Sequence, residues 1–175
     1  MKEIPLTGRH ARGKVALVDD EDYPLLSCFS WSAYDKGSDG KYWYARGWDR
    51  LVESRRRVDM HRLVMGFPRG LEIDHRNGNG LDNRKDNLRV ATAAQNQANQ
   101  RSRRGASKYK GVHKSEKGWR ARLSFHQRKI SLGYFDTEEE AARAYDETAK
   151  LLWGDFAKVN FPVEGLGDDD DQNDA

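Results

Sequence analysis

Short strands are the structure that the pattern of apolar and polar residues predicts for the first third of the chain. Lys14–Val18 is apolar and rich in β-branched residues, as is typical of a strand. Two aromatic-rich segments, Trp31–Tyr34 and Tyr42–Trp48, flank a run of Gly, Ser and Asp, and are therefore predicted to pair as a hairpin. Glu21–Phe29 is predicted as a short helix, and residues 14–66 are otherwise predicted to be strands.

A second unit, with strands and one helix, is predicted from residue 108 onwards. Its elements are, in order, strands Lys110–His113, Trp119–Phe125 and Lys129–Leu132 and a helix over Thr137–Trp153. Along the middle strand Ala121 and Leu123 share one face, while Arg120 and Arg122 share the other. The helix has an apolar stripe formed by Ala141, Ala142, Tyr145, Ala149 and Leu152. We expect this stripe to cover the sheet and to leave the arginines exposed.

Residues 67–100 lie between these units and contain many Asn, Asp and Gly residues, a composition typical of loops. Single apolar residues recur within the stretch, which is therefore predicted to be a small folded motif ending in a helix over about Thr92–Gln100. Residues 97–107 are polar and basic without apolar periodicity, and predict a linker. The predicted domains are thus 1–96 and 108–162, followed by a tail over 163–175.

Charge is unevenly distributed along the chain. The net charge is +3, but residues 164–175 contain six acidic residues and no basic one. This acidic tail is predicted to be disordered. The remainder is therefore more basic than the net charge suggests, which suits a polyanionic partner, although charge alone also fits a basic protein without such a partner.

The composition argues against several kinds of protein and site. Cys28 is the one cysteine in the sequence, so neither an intramolecular disulfide nor a paired-cysteine zinc site is available. It lies in an apolar run and is predicted to be a buried small side chain. The N-terminus lacks the apolar core of a secretory signal, and no stretch approaches a membrane span of about 20 apolar residues. We expect no membrane association and a cytoplasmic location.

The chemistry is concentrated between residues 71 and 96. Cleaving a phosphodiester needs a base that activates water and a cation that stabilises charge on the phosphate. Asp74 and His75 place a hard oxygen ligand and a base side by side, and the turn residues 77–80 follow. Adjacent side chains of a strand point to opposite faces, so the pair can serve one site only if the strand ends or bends there.

Four short motifs in this region resemble the HNH nuclease motif, most closely the branch found in phage and intron-encoded homing endonucleases. They are His61-Arg62-Leu63, Asp74-His75-Arg76-Asn77-Gly78-Asn79, Asn87-Leu88-Arg89 and Asn96. The resemblance implies a β-hairpin followed by a helix around one Mg²⁺ or Mn²⁺ ion per active site. It implies that His75 is the general base, that Asp74 and Asn96 are the metal ligands, and that Asn87 orients the loop around His75. The name-giving pattern ends in His, where this chain has Asn96.

These residues have other possible interpretations. Asp-His followed by Asn and Gly also occurs as turn chemistry alone, but the joint order and spacing of the four motifs favour function. An EF-hand calcium loop is excluded, because a loop starting at Asp74 has Arg76 at its third position. His61 either lines the site or forms a hydrogen bond in the core, and a structural or DNA-contacting role is favoured.

The second unit resembles the DNA-binding domain of plant ethylene-response (Apetala-type) transcription factors over residues 108–162. The resemblance is carried by Tyr109-Lys110-Gly111-Val112, Gly118–Leu123, Leu132–Thr137, Glu139–Asp146 and Asn160-Phe161-Pro162. In that family a three-stranded sheet enters the major groove, which admits such a sheet and in which arginine reads guanine. The residues expected to contact DNA are Lys110, His113, Arg120, Arg122, Ser124, Lys129 and Ser131, with Arg101, Arg103 and Arg104 of the linker on the backbone. The alternative is a solvated charged face.

The sequence therefore predicts an α+β protein: N-terminal strands lead into a ββα-metal HNH motif, and a three-stranded antiparallel sheet packs on one helix. The predicted function is metal-dependent hydrolysis of double-stranded DNA, targeted by the C-terminal domain. One motif per chain implies one active site in a monomer or weak dimer, in the host cell of a phage or mobile element. The alternatives are a non-catalytic DNA-binding regulator with a vestigial HNH fold, and a nuclease directed to RNA or to particular nucleic-acid structures.

Overall fold

The structure is a computed structural model that describes residues 1–36, 42–48, 57–100, 107–125 and 128–162. It is a mixed α+β fold with several small antiparallel sheets and few helices, as the sequence predicts at this level. The chain forms two compact units, Met1–Ala93 and Ala94–Ala175. The basic residues Arg101, Arg103 and Arg104 and the acidic tail lie outside the described residues.

The first unit contains three antiparallel sheets. Its strands are β1 (Lys2–Pro5), β2 (Val15–Val18), β3 (Trp31–Asp35), β4 (Trp43–Trp48), β5 (Arg57–Asp59), β6 (Glu72–His75) and β7 (Leu88–Ala91). Strand β1 pairs with β2, β3–β4–β5 form one sheet, and β6 pairs with β7. The predicted hairpin is confirmed, because β3 and β4 pair antiparallel with Ala33 opposite Ala45. Trp31, Met60 and Leu26 are almost fully buried in the core between these elements.

Two helices of this unit are short. They are α1 (Tyr23–Ser27) and α2 (Met60–Val64). The predicted helix over Glu21–Phe29 is thus confirmed in a shorter form, whereas α2 lies in a region predicted to be strands. The predicted burial of Cys28 is wrong: its side chain is exposed, because helix α1 ends at Ser27 and leaves the thiol on the surface, where it donates to the carbonyl of Pro24 at 3.3 Å.

The second unit begins within helix α3 (Ala93–Asn99) and contains a three-stranded sheet covered by one long helix. The strands are β8 (Val112–Ser115), β9 (Gly118–Phe125) and β10 (Arg128–Phe135), and the helix is α4 (Glu138–Trp153), followed by a 3-10 turn. Strand β9 is central, with β8 and β10 antiparallel on its two sides.

Helix α4 begins and packs as predicted, with one exception. The Thr137 hydroxyl oxygen accepts a hydrogen bond from the Glu140 N–H, and the Glu140 carboxylate accepts one from the Thr137 N–H, which stabilises the first turn. The buried residues Ala141, Ala142, Tyr145 and Ala149 lie over the buried Ala121 and Leu123 of β9. Leu152 was predicted to complete this stripe but is 37% exposed, since it lies in the last turn of the helix.

Candidate active site and nucleic-acid interface

Asp74 and His75 are the last two residues of strand β6, and both side chains are buried, with exposed fractions of 3% and 5%. The chain turns immediately after them, because the Gly78 N–H donates to the His75 carbonyl at 2.9 Å. Gly78 has a positive φ of 74°, which glycine adopts without strain. The strand thus ends at His75, as a shared site for the two adjacent side chains requires.

The loop after His75 is held by a network of short polar side chains. Asn87 accepts a hydrogen bond from the Asn77 N–H at 3.0 Å and donates one to the Asp82 carbonyl at 2.8 Å. The Asn77 amide in turn donates to the Asp82 carboxylate at 3.0 Å. Asn87 therefore joins both ends of the loop, which is the geometry needed by a residue that orients the loop around His75.

Asn83 is fully buried in this loop and faces the imidazole of His75. Its Oδ1 lies 3.5 Å from His75 Nε2, and its Nδ2 donates to the Leu81 carbonyl at 3.2 Å. The second bond determines which end of the amide points to His75. Because Oδ1 is only an acceptor, the proton of the neutral imidazole belongs on Nε2, which leaves a lone pair on Nδ1.

The Asp74 carboxylate pairs with Arg89 on the neighbouring strand. Arg89 Nε and Nη2 each lie 2.7 Å from Asp74 Oδ2, and the two residues are opposite each other in the β6–β7 register. Both side chains are buried, so the guanidinium compensates the charge of a carboxylate that is largely removed from water. Arg89 was not predicted to have a role in the site. Its position opposite Asp74 in the β6–β7 hairpin is the one signal that would have indicated such a role.

Three rings meet beside the end of β6. The ring centroids of His75 and His61 are 5.2 Å apart, and that of Tyr44 is 5.7 Å from His75 and 5.8 Å from His61. Burial lowers the pKa of both histidines, to about 3 for His61, where the neighbouring His75 lowers it further. Burial and the nearby Asp74 raise the pKa of Tyr44. All three rings are therefore neutral at physiological pH.

Gly80 allows the loop to approach this cluster closely. A Cβ at Gly80 would lie 2.4 Å from the Trp43 carbonyl oxygen and 2.8 Å from the Tyr44 ring. The loop is also joined to β2, where the Leu17 N–H donates to the Leu81 carbonyl at 2.8 Å. A side chain at position 80 would displace the loop that carries Asn83.

Asn96, the second predicted metal ligand, lies on helix α3. The end of this helix bonds to the C-terminal unit, because the Ala98 carbonyl accepts from the Lys158 N–H at 3.3 Å and from the Lys110 ammonium. Ala98 and Asn99 are buried. The first residues of the predicted linker 97–107 are therefore part of a packed helix, while the role of Asn96 stays a prediction.

The open face of the C-terminal sheet carries a row of polar side chains from all three strands. His113 on β8 and Tyr134 on β10 both lie opposite Arg120 on β9, and Arg120 donates to Ser131 at 3.1 Å. Farther along β9, Arg122 lies opposite Ser131 and Ser124 opposite Lys129. The structure thus brings together His113, Arg120, Arg122, Ser124, Lys129 and Ser131, six of the residues expected to contact DNA.

The cations on this face affect His113. Burial lowers the pKa of His113, and the positive charges of Arg122, Arg120 and Lys129 lower it further. Lys110 lies apart from this group: it precedes β8, its ammonium donates to the Ala98 carbonyl, and burial lowers its pKa to about 8. The Lys110 ammonium thus forms a hydrogen bond within the C-terminal unit, a contact that was not predicted from the sequence.

Comparison with known proteins agrees with the arrangement around His75. A family model described as HNH endonuclease matches residues 60–98, which include β6, β7 and most of α3. A protein of Acanthamoeba polyphaga mimivirus, named Uncharacterized HNH endonuclease L560, is 31% identical over 157 residues, covering 89% of this chain and 79% of that protein. The chain belongs to the HNH endonuclease family. It is therefore a nuclease by family, and the Asp74–His75 pair lies within the matched segment.

The C-terminal unit is similar to plant transcription factors. Ethylene-responsive transcription factor ERF017 of Arabidopsis thaliana is 49% identical over 59 residues, which are 32% of each chain. APETALA2-like protein 2 of Oryza sativa is 48% identical over 62 residues, 33% of this chain and 14% of that protein. The chain thus spans a third or less of these two relatives, and the similarity indicates a DNA-binding domain. Among the described residues, no helix is long and apolar enough to cross a membrane.

Proposed function

We propose that this HNH endonuclease hydrolyses phosphodiester bonds in double-stranded DNA with a divalent metal ion, and that its C-terminal sheet targets it to DNA. The observation that carries the proposal is the buried Asp74–His75 pair at the end of β6, within the segment that matches the HNH family. The more specific ββα-metal architecture and a homing role in a phage or mobile element are parts of the same proposal.

His75 is the general base in this mechanism. Burial keeps its ring neutral, and Asn83 opposite Nε2 fixes the tautomer in which the basic lone pair lies on Nδ1. His75 takes a proton from water as the water oxygen attacks the phosphorus and the bond from phosphorus to the leaving oxygen breaks. Asn87 and Asn83 act on the loop and the ring orientation respectively, and neither needs to contact the substrate.

Asp74 and Asn96 are the residues that would hold the metal. Their carboxylate and amide oxygens are hard ligands, which suit Mg²⁺ or Mn²⁺. Within the described ranges, no three His, Cys, Asp or Glu side chains cluster as a metal-binding group. Mg²⁺ usually keeps several waters and substrate oxygens in its coordination shell, so one carboxylate and one amide oxygen from the protein would be enough to hold it. When bound, the ion supplies positive charge that stabilises the phosphate and the leaving oxygen.

The test of the enzymatic part is cleavage of supercoiled plasmid by purified protein with Mg²⁺. We expect wild type to nick the plasmid, and the His75→Ala variant to be slower by at least about 100-fold, the lower range of general-base contributions. Loss of nicking in excess EDTA, and recovery with Mg²⁺ or Mn²⁺, tests the metal. If wild type cleaves no faster than His75→Ala, the protein is a non-catalytic DNA-binding regulator. Parallel RNA and single-stranded DNA substrates test the choice of duplex DNA.

The targeting part is tested by the salt dependence of DNA binding in EDTA, where cleavage is prevented. Arg122 lies on the open face of the sheet, whereas Lys150 is exposed on helix α4, which covers the other face. We expect Arg122→Ala to weaken binding by about 1–3 kcal/mol at a specific base contact, or to reduce the salt slope by about one at a phosphate contact. Lys150→Ala is the matched control and leaves both unchanged. Equal effects of the two variants would contradict targeting by this face.

A further inference from the structure

His61 is the third ring beside Tyr44 and His75, and the mechanism above does not use it. It is the second residue of helix α2, directly after the fully buried Met60, and its ring forms a T-shaped contact with His75 at a centroid distance of 5.2 Å. Tyr44 closes the triangle at 5.8 Å from His61. The ring is therefore held in place from two sides by packing.

The Nδ1 atom of His61 is buried, and no hydrogen-bond partner lies within reach of it among the described residues. Leaving a buried polar atom unpaired destabilises the folded state, and native proteins rarely tolerate it. A side chain that served packing alone would be better provided by Phe or Leu, which bury no polar atom. The orphaned nitrogen beside His75 therefore indicates that its partner arrives with a bound molecule.

The charge state of His61 limits the kind of group that can bond to its Nδ1. Burial and the neighbouring His75 lower the pKa of His61 to about 3, so the ring is neutral. A neutral imidazole has one N–H donor and one acceptor nitrogen. Among the smaller effects on the pKa of His61, the charge of Asp59 raises it and the charges of Arg62 and Lys36 lower it. The ring centroids of His61 and His75 are 5.2 Å apart, and a hydrogen bond extends about 2.9 Å from each ring. The two rings are therefore close enough to bond to a single phosphate group and to the water that attacks it.

We propose that His61 is a further catalytic residue. Its Nδ1–H donates a hydrogen bond to a non-bridging oxygen of the phosphate, and the water that His75 activates attacks the same phosphate. This inference rests on the proposed function, because it assumes that His75 acts on a phosphodiester. In this arrangement His75 takes the proton from the water, and His61 donates a hydrogen bond to the phosphate. The neutral donor stabilises charge that develops on the phosphate without adding a second cation beside the base.

Three substitutions separate this role from packing. His61→Phe keeps a ring of similar volume without nitrogen. His61→Asn places an amide nitrogen near the position of Nδ1, whereas His61→Gln places it near that of Nε2. In plasmid nicking with Mg²⁺ we expect His61→Phe to lower kcat by at least 10-fold with unchanged DNA affinity in EDTA, and His61→Asn to retain several-fold more activity than His61→Gln. Thermal unfolding of each variant reports whether the fold is kept.

A binding experiment tests the contact without cleavage. Histidine ¹⁵N resonances of the full chain are followed in EDTA as short duplex DNA is added, and His61→Phe identifies the His61 signals. We expect the Nδ1 resonance of His61 to shift on saturation with DNA, and no such shift with an equal concentration of NaCl. An unchanged Nδ1 resonance, or a His61→Phe variant that cleaves within two-fold of wild type, would overturn the proposal. If wild type itself fails to nick, the proposed function fails first, and the resonance still reports whether DNA reaches His61.

Discussion

Arg89 lies directly opposite Asp74 in the β6–β7 hairpin, and its guanidinium nitrogens contact Asp74 Oδ2 at 2.7 Å. Both residues are buried, with exposed fractions below a tenth. The proposed metal ligand is thus already half of a buried ion pair. This pair holds the carboxylate at the end of the strand before any cation binds.

Replacing Arg89 by Met is expected to destabilise the first unit markedly. Removing one partner of a buried pair leaves an uncompensated charge, which costs about 3–5 kcal/mol. Lys85→Met is the control, because Lys85 forms ion pairs with Glu21 and Asp22 on the surface, where water and salt screen them and their contribution to stability is small. Urea unfolding measures both. Equal losses of unfolding free energy in the two variants would show that the Asp74–Arg89 pair is not buried as described.

The two glycines of the loop after His75 are expected to respond differently to alanine. A Cβ at Gly80 meets the Trp43 carbonyl and the Tyr44 ring, whereas a Cβ at Gly78 meets no atom within 4 Å but keeps a positive φ. We expect Gly78→Ala to cost about 1 kcal/mol through backbone strain alone, with nicking retained. Gly80→Ala is expected to cost about 1–3 kcal/mol through overpacking and to lower nicking as the loop shifts. Full nicking by Gly80→Ala would argue against the close packing.

DNA binding is expected to strengthen as pH falls from 7.5 to 5.5, through His113. Burial and the nearby cations Arg122, Arg120 and Lys129 lower its pKa, so the free protein holds a neutral ring at pH 7. Phosphates on the same face would offset those cations and raise the pKa in the complex. Binding then takes up a proton, and linkage limits the effect to about ten-fold in affinity per pH unit.

The measurement for His113 is the affinity for duplex DNA in EDTA across this pH range, for wild type and His113→Gln. The variant is expected to lose the part of the pH dependence that belongs to His113 while remaining folded, because His113 is only partly buried and lies mostly on the surface. Identical pH profiles would mean that His113 does not face the phosphates.

Asp146 is expected to be the most sensitive charged residue of helix α4. Its carboxylate accepts from the Asn160 and Phe161 backbone N–H groups at 2.8 Å and from the Asn160 amide at 2.9 Å. Asn160 in turn bonds to both backbone groups of Lys110. Asp146→Ala therefore releases the segment after α4 and is expected to lower stability by about 3 kcal/mol, since several charge-assisted bonds are lost. The exposed neighbour Glu147→Ala is the control in thermal unfolding, with little change expected.

Periodicity predicted the C-terminal sheet and helix well, because their elements are long enough for the pattern to be unambiguous. Helix α2 was missed since five residues, Met60–Val64, are too few to distinguish a helical period from a short apolar strand. Strand β1, Lys2–Pro5, was missed for the same reason. Both elements obtain their stability from tertiary packing of Ile4 and Met60 in the shared core, which local sequence does not display.

The order of motifs led to Asp74 and His75, but contacts between distant residues were not predictable. Asn83 resembles any turn asparagine in sequence, and only the folded loop shows its amide facing His75. Tyr44 reaches the same histidine from a strand some thirty residues earlier in the chain. Lys110 was grouped with the sheet cations because it was predicted to begin the first strand, whereas β8 begins at Val112 and the Lys110 ammonium donates to the Ala98 carbonyl. Such pairings depend on chain reversals that leave no periodic signal.

The Ala98 carbonyl makes helix α3 a poor place to divide the protein. The helix follows β7 after a single residue, Thr92, and its last turn accepts hydrogen bonds from Lys110 and Lys158. A truncation in the basic segment 101–106 would remove both donors and leave the end of α3 without them. Exchanging the C-terminal module for a different one would do the same unless the newcomer carried equivalent donors. Chimeric nucleases built on this scaffold should therefore keep the Lys110 ammonium and a backbone N–H in the place of that of Lys158, whatever new DNA-binding surface they receive.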